Sequence, residues 1–150
     1  MSAKVAAKRR GFTLIELLVV IVIIAVLALI AIPKFTDAGK RSKESSLKSD
    51  LSLLRSAVAT YYTDTGADPT TLADLSATTA PANGVSSGGV ATAISASDWH
   101  GPYIQGAVPT DPVLPGSTQF AYTGTGTTNI GAVKSTSTAT GLDGTAYNTY

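Results

Sequence analysis

A long run of apolar positions lies close to the start of the chain. From Leu14 to Ile32 the only ionisable side chain is Glu16. A helix over these positions rises roughly 28 Å at about 1.5 Å per residue, which is close to the hydrocarbon thickness of a bilayer, about 30 Å. The pattern therefore predicts a helix that spans a membrane.

After Pro33 the apolar residues recur every three or four positions. The repeating positions are Leu47, Leu51, Leu54, Val58 and Tyr61. This spacing places them on one side of an amphipathic helix. The charged residues among and just before them, including Glu44 and Arg55, then lie on a solvated face. Gly66 and the following Asp68-Pro69 pair are stop signals. We therefore predict one helix from about Phe12 to about Thr63, bent at Pro33 because proline removes a backbone donor.

The rest of the chain is rich in Ser, Thr, Gly and Ala and predicts short elements. Residues 66–98 form a connecting loop in this prediction, with a short helical piece from Pro69 to Leu75 that Asp68 caps. From Trp99 onward, short β-favouring runs alternate with turn signals and predict an antiparallel meander. The four predicted strands are Pro102–Ile104, Gln119–Thr123, Ile130–Ser137 and Thr145–Tyr150. The predicted fold class is α+β: a long N-terminal helix whose second half packs on a small antiparallel sheet.

The distribution of charge predicts the orientation of the long helix across the membrane. Residues 1–11 carry four of the eleven basic residues and no acid. By the positive-inside rule this cluster places the N-terminus in the cytoplasm and the remainder outside it. Loss of these four charges would change the net charge from +1 to −3. The mildly acidic product would lack the basic stripe that argues for nucleic-acid binding, so we expect no direct binding of nucleic acid, while a local basic patch stays open.

Two further interpretations of the apolar run stay open at this point. The run could belong to a secretory signal peptide, for which Ala28 and Ala31 supply a small-x-small cleavage site. Such signals have apolar regions of only about 7 to 15 residues, and here an amphipathic helix continues beyond Pro33. A plain single-pass anchor with an unrelated external domain accounts for the length of the run equally well.

The segment from Lys8 to Val20 reads KRRGFTLIELLVV. It resembles the class III signal of type IV pilins, type II secretion pseudopilins and related competence pilins. The resemblance implies that a prepilin peptidase cuts after Gly11 and methylates the new N-terminus at Phe12. It also implies that Glu16 pairs with the N-terminal amine of a neighbouring subunit during assembly.

Physical chemistry also singles out Glu16. A carboxylate at the centre of a bilayer costs on the order of 2.5 to 3.5 kcal/mol, and less toward the interface. The freed amine of Phe12 in the next subunit would be a suitable cation, and their pairing would set the axial register of bundled helices. The alternative is that Glu16 simply snorkels to the headgroups and marks the end of the helix.

A second, shorter resemblance lies at Trp99 to Pro112, WHGPYIQGAVPTDP. It is similar to the Gly-Pro-Tyr and Pro-x-Asp-Pro elements of major pseudopilins, although Val113 to Gly116 replaces their usual aromatic residue and glycine. Some major pseudopilins hold calcium nearby, which makes Asp111 and Asp143 the acids to consider. Calcium takes six to eight oxygen ligands, so we predict turn-capping roles for both residues, with no metal and no cofactor.

Candidate catalytic chemistry is weak. The single histidine, His100, has no Ser-His-Asp spacing around it, and the Gly124-Thr-Gly126 stretch lacks the lysine of a phosphate-binding loop. The chain has no cysteine, which excludes disulfides, thiolate metal sites and a cysteine nucleophile. We therefore predict that it is not an enzyme.

The predicted organisation has five parts along the chain. They are a leader peptide at 1–11, a hydrophobic assembly helix at 12–33, its amphipathic half at 34–65, a connecting loop at 66–98 and a sheet region at 99–150. The predicted function is a structural subunit that polymerises through its N-terminal helix into a type IV pilus-like filament. A major pseudopilin of type II secretion and a competence or DNA-uptake subunit are the alternatives.

The predicted partners are further copies of the chain, a prepilin peptidase, the cytoplasmic membrane and an assembly machinery. The precursor is predicted in the cytoplasmic (inner) membrane, with the assembled filament at the cell surface or in the periplasm.

A membrane-anchored binding module remains a second class of function. It would need a basic or aromatic patch, yet after Arg55 the only basic residue is Lys134.

Overall fold

The computed structural model describes residues 11–114, 116 and 118–150. The basic leader cluster predicted within residues 1–10 lies outside the described residues. The chain divides into two compact units, of which the first ends at Gly39 and the second covers Lys40–Tyr150. We call the second unit the head.

One helix, α1, extends from Leu14 to Thr65 over 52 residues. It matches the helix expected from the apolar run and the amphipathic repeat that follows. The backbone N–H of Gly66 donates to the carbonyl of Tyr62 at 2.8 Å, and Gly66 adopts a positive φ of 71°. Glycine tolerates this left-handed conformation without a Cβ penalty, so Gly66 ends the helix where the sequence predicts a stop.

The core of the head forms around the amphipathic stripe of α1. The five predicted stripe residues, from Leu47 to Tyr61, are all buried. They pack with apolar side chains that come from distant parts of the chain, namely Leu72, Leu75, Ile104, Phe120, Val133 and Tyr147. The helix therefore supplies one continuous wall of the core, and the later segments close over it.

Two short hairpins and two 3-10 turns make up the regular structure after α1. Strands β1 (Asn83–Val85) and β2 (Ala91–Ala93) pair antiparallel, as do β3 (Ala121–Tyr122) and β4 (Val133–Lys134). The hairpins form two separate sheets. The 3-10 turns cover Leu72–Ser76 and Tyr147–Thr149. The fold is α+β, with much of the head in loops.

Two of the four predicted strands are wrong. The segment Pro102–Ile104 is not a strand, because the backbone N–H groups of Tyr103 and Ile104 both donate to the carbonyl of Leu75, at 2.8 and 2.9 Å. The segment Thr145–Tyr150 contains a 3-10 turn, with a single β-bridge from Ala146 to Thr140. The remaining two predicted strands are observed in shortened form as β3 and β4.

The segment after α1 also differs from its prediction. Residues 66–98, predicted as a loop with one helical piece, contain the hairpin β1–β2. Asp68 is not the cap, because the short helix begins at Leu72 with Thr71 as its N-cap. The backbone of Asp68 instead pairs with Val85 through N···O distances of 2.8 and 2.7 Å. The carboxylate of Asp74 accepts from the N–H of Thr71 at 2.8 Å instead, so the short helix begins later than expected.

Substitution of Gly124 by alanine is expected to destabilise the head. A Cβ at this position would collide with the backbone carbonyl of Thr70, which cannot move as a flexible side chain can. Overpacking of this kind typically costs about 1 to 3 kcal/mol. The measurement is denaturant unfolding of the detergent-solubilised chain, followed by the fluorescence of Trp99, its one tryptophan.

Gly88→Ala is the matched control, because a Cβ there meets only the Ser86 hydroxyl, at 3.9 Å. We expect Gly88→Ala to unfold at the wild-type denaturant concentration. Equal midpoints for Gly124→Ala and Gly88→Ala would show that the loop carrying Gly124 can retreat from Thr70.

Candidate assembly surface and the polar clusters of the head

The membrane-length part of α1 leaves its apolar side chains uncovered. Leu14 is 87% exposed and Ile15 70% exposed, and large aliphatic residues as far as Ile32 are also exposed. The most apolar window of the helix has none of its residues buried. Exposed apolar area on this scale marks a surface that a membrane or another protein covers.

Three hydrogen bonds between Thr13 and Glu16 fix the start of this helix. The Glu16 carboxylate accepts from the N–H of Thr13 at 2.9 Å and from its hydroxyl at 3.0 Å. The Thr13 hydroxyl in turn accepts from the N–H of Glu16 at 3.3 Å. This is a capping box, in which Thr13 is the N-cap and Glu16 the third helical residue.

The sequence predictions include a role for Glu16 but none for Thr13. The Thr-x-x-Glu spacing directly before an apolar run is a recognised signal for a helix start, and this signal could have identified Thr13. Glu16 therefore already has a partner within its own chain. It also keeps free acceptor capacity, since a carboxylate has about four lone-pair sites and Thr13 occupies two of them.

Phe12 and Glu16 line one shallow groove in the first unit. Its other walls are the aliphatic side chains of Ile15, Val19 and Val20, and its volume is about 350 Å³. Phe12 is 79% exposed, and Gly11 precedes it outside the helix. The residues predicted to define cleavage, methylation and assembly thus adjoin one another at the N-terminal end of the described chain.

Pro33 lies inside α1. The helical backbone continues through it from Leu14 to Thr65, so the proline does not end the helix. The bend that we predict at Pro33 stays a prediction.

Asp111 and Asp143 both form the turns expected from the sequence. The Asp111 carboxylate accepts from the N–H of Val113 at 3.0 Å, and that of Asp143 accepts from the N–H of Thr145 at 2.9 Å. Each bond joins an aspartate to the residue two positions later, which is Asx-turn geometry. Among the residues that the structure describes, no group of three or more His, Cys, Asp or Glu side chains could hold a metal ion.

Asp111 is buried and lies close to a second carboxylate. Its side chain is 1% exposed and accepts from the Ser135 hydroxyl at 2.5 Å. Burial raises the pKa of Asp50, a residue of α1, and the charge of Asp111 raises it further. Two carboxylates near one another in the head therefore penalise the charged form of Asp50.

The single histidine is exposed and lies beside Asp64, Trp99 and Tyr103. His100 Nδ1 lies 2.8 Å from the carbonyl of Asp98 and 3.7 Å from the carboxylate of Asp64. Asp64 accepts from the hydroxyl of Tyr103 at 3.0 Å, and the ring of Tyr103 contacts Trp99 with centroids 6.3 Å apart. The backbone N–H of His100 donates to the hydroxyl of Tyr103 at 3.1 Å.

Two charged residues of α1 bind the last part of the chain. Arg55 donates to the carbonyl of Val133 at 2.9 and 3.2 Å and to the main-chain oxygen of Tyr150 at 2.5 Å. Glu44 accepts from the N–H of Leu142 at 2.6 Å and from the hydroxyl of Tyr147 at 3.1 Å. Both residues were predicted on a solvated face of the helix. The local pattern carries no signal for partners that lie 78 to 103 positions away.

Comparisons with known proteins agree with this architecture. Residues 6–32 match the family described as the prokaryotic N-terminal methylation motif. Residues 34–148 match the family described as type II secretion system (T2SS), protein G. No solved structure matches the chain at a significant level.

One curated relative is the type IV major pilin protein PilA of Myxococcus xanthus (strain DK1622). It is 46% identical to this chain over 57 residues. The alignment covers 38% of this chain and 26% of PilA, so the chain spans about a quarter of the length of that relative.

The penalty on charged Asp50 predicts that Asp50→Asn stabilises the head at neutral pH. The raised pKa means that the native state disfavours the carboxylate, so this cost exists above the folded pKa and vanishes below the unfolded value near 3.8. We expect the Asp50→Asn variant to have a higher free energy of unfolding than the wild type at pH 7. Its advantage should shrink as the pH falls through the folded pKa.

Asp37→Asn is the control, because it removes an exposed acid from the same helix. Unfolding followed by Trp99 fluorescence at pH 7 and at about pH 3.5 gives the comparison. A stability difference between Asp50→Asn and wild type that does not vary with pH would contradict the electrostatic origin of the penalty.

Proposed function

Because the chain belongs to the family of type II secretion system protein G, we propose that it is a membrane-inserted precursor that polymerises through α1 into an extracytoplasmic filament. The observation that carries the proposal is the exposed apolar half of α1 in a chain whose head has its own closed core. Pilins and pseudopilins are structural subunits, so the proposal assigns the chain no catalytic step.

The exposed aliphatic residues of α1 would be covered in two successive ways. In the precursor, lipid covers the aliphatic residues between Leu14 and Ile32, in a helix long and apolar enough to cross a bilayer. In the filament, the same residues of neighbouring copies cover one another, which replaces lipid contacts by helix contacts. The head needs no change between the stages, because its core uses a different stretch of α1, from Leu47 to Tyr61.

The N-terminal end of α1 supports the processing step of the proposal. Gly11 and Phe12 precede the helix and are exposed, so a peptidase can reach the bond between them. Cleavage there would create an amine on Phe12, one turn from the Glu16 carboxylate. The lone pairs that Thr13 leaves open on Glu16 would then accept the amine of a neighbouring copy.

Two kinds of filament each have a specific observation in their favour. The match of residues 34–148 to protein G favours a pseudopilus of type II secretion. The similarity to PilA, a type IV major pilin, favours a pilus on the cell surface. Deletion of the gene in the native host separates them. Loss of secreted proteins without loss of surface filaments indicates a pseudopilin, and the reverse result indicates a pilin.

Processing is tested by the intact mass and N-terminal peptide mass of the chain recovered from its host. We expect a mature form that begins at methylated Phe12. Replacement of Gly11 by a large residue such as leucine should leave the precursor uncut and membrane-bound. Cleavage near Ala31, or an uncut wild-type chain, would remove the basis for polymerisation.

Glu16→Ala is expected to abolish filaments while leaving the precursor in the membrane, because the variant lacks the carboxylate that would pair with the neighbouring amine. The matched control is Asp37→Ala, which removes an exposed acid from the same helix and should assemble normally. Electron microscopy of filaments, together with membrane fractionation, measures both. Normal filaments from Glu16→Ala would show that Glu16 only caps its own helix.

A further inference from the structure

Charge is strongly segregated along the described chain. Residues 34–48 contain five basic and two acidic residues, whereas residues 49–150 contain two basic and seven acidic residues. The basic stretch begins directly after the apolar run that ends at Ile32. By the positive-inside rule, cations on the exported side of a membrane helix oppose its orientation, so this stretch works against export of the head.

Three of these cations do not stabilise the fold. Lys40, Arg41 and Lys43 are exposed. Their side chains make no hydrogen bond or ion pair with the residues that the structure describes. We call these three residues the basic belt. Their neighbours are engaged elsewhere, since Glu44 binds the chain near Leu142 and the ammonium of Lys48 lies 4.7 Å from the ring centre of Tyr150. The positive charge of the belt is therefore exposed and has no ion-pair partner among the described residues.

Two belt residues also line a cavity. Lys40 and Lys43 stand on one side of an open cleft of about 450 Å³ in the head. The remaining walls are Val113, Ala139, Thr140 and Tyr147. The cleft is thus lined by two lysines and a threonine together with aliphatic and aromatic residues. That combination suits a phosphate group attached to a less polar body.

We propose that the basic belt binds the headgroups of anionic phospholipids in the membrane that holds the first unit, with a phosphate between Lys40 and Lys43. This inference rests on the membrane insertion in the proposed function. Lys40 follows Ile32 by eight positions, so the belt begins within roughly 28 Å of the end of the apolar run whatever path the backbone takes. Lysines near an anionic bilayer surface each strengthen attachment about fivefold.

The belt would hold the head of the precursor against the bilayer before assembly. The acidic remainder of the head would be repelled by the same anionic surface, which fixes the side of the head that meets the lipid. Extraction of a subunit into a filament then requires release of these headgroup contacts as well as of the apolar helix.

The test uses the full chain in lipid nanodiscs. Because the chain has no cysteine, Ser42→Cys gives one labelling site inside the belt, and Ser42 is exposed. A fluorophore at that site is quenched by a fixed small fraction of lipid with a nitroxide on its headgroup. We compare discs of phosphatidylcholine with discs in which a third of the lipid is phosphatidylglycerol, at one chain per disc.

We expect phosphatidylglycerol to increase quenching about twofold or more, and high salt to reverse the increase. Lys40→Gln with Lys43→Gln should remove it, and Lys40→Arg with Lys43→Arg should retain it. Lys134→Gln, a single charge removed from the head outside the belt, should behave as wild type.

Equal quenching in both lipid mixtures, or in the wild type and the double glutamine variant, overturns the proposal. An increase that is absent at one chain per disc and appears only in discs prepared with two chains overturns it in favour of pairing between the belt and the acidic head of another copy. A chain that fails to enter the discs refutes membrane insertion and this inference together. Insertion without dependence on phosphatidylglycerol refutes this inference alone.

Discussion

The structure depends on the hydrophobic effect acting separately on two halves of one helix. The stretch of α1 from Leu47 to Tyr61 is buried by the rest of the head. The stretch from Leu14 to Ile32 is left exposed by the part of the chain that the structure describes. At about 25 cal/mol per Å² of apolar surface, a helix with this many exposed aliphatic side chains cannot remain in water. Membrane insertion and polymerisation are two ways of meeting this one requirement.

Polar and charged residues also differ between the two halves of α1. The Thr13–Glu16 capping box satisfies the first turn of α1 internally, so that a helix start near the membrane boundary needs fewer partners from outside. In the sequence, the basic belt falls between the apolar run and the acidic remainder of the head. Along the chain, the character of the residues changes from aliphatic to cationic to anionic over fewer than forty positions. Each of these zones suits a different neighbour.

The helix could be predicted from sequence because its signal is repeated many times. The stripe of five apolar positions predicts the helix face that forms a wall of the core. The apolar run from Leu14 to Ile32, in which only Glu16 is ionisable, predicts the membrane-length part of the same helix. The start signal was also present, in the Thr13-x-x-Glu16 spacing. The candidate site residues Gly11, Phe12 and Glu16 could be proposed because they are neighbours along the chain, within one short segment that resembles a known signal.

The head was harder to predict, because its strands have only two or three residues and contain almost no alternation. Its loops are placed by single long-range bonds, such as those from Tyr103 and Ile104 to the carbonyl of Leu75. Glu44 and Arg55 look like solvated helix charges in the sequence, and only the folded chain brings the carbonyl of Val133 and the N–H of Leu142 to them. Local pattern has no access to such pairings.

The contacts of Arg55 and Glu44 have a mechanical consequence. Tension applied along α1 would reach the later part of the head through the covalent chain after Thr65, through the packed core and through these bonds. Directional bonds from the helix to Val133, Leu142 and Tyr147 resist shear between the two. The later part of the head could therefore slide along α1 only after these bonds had broken.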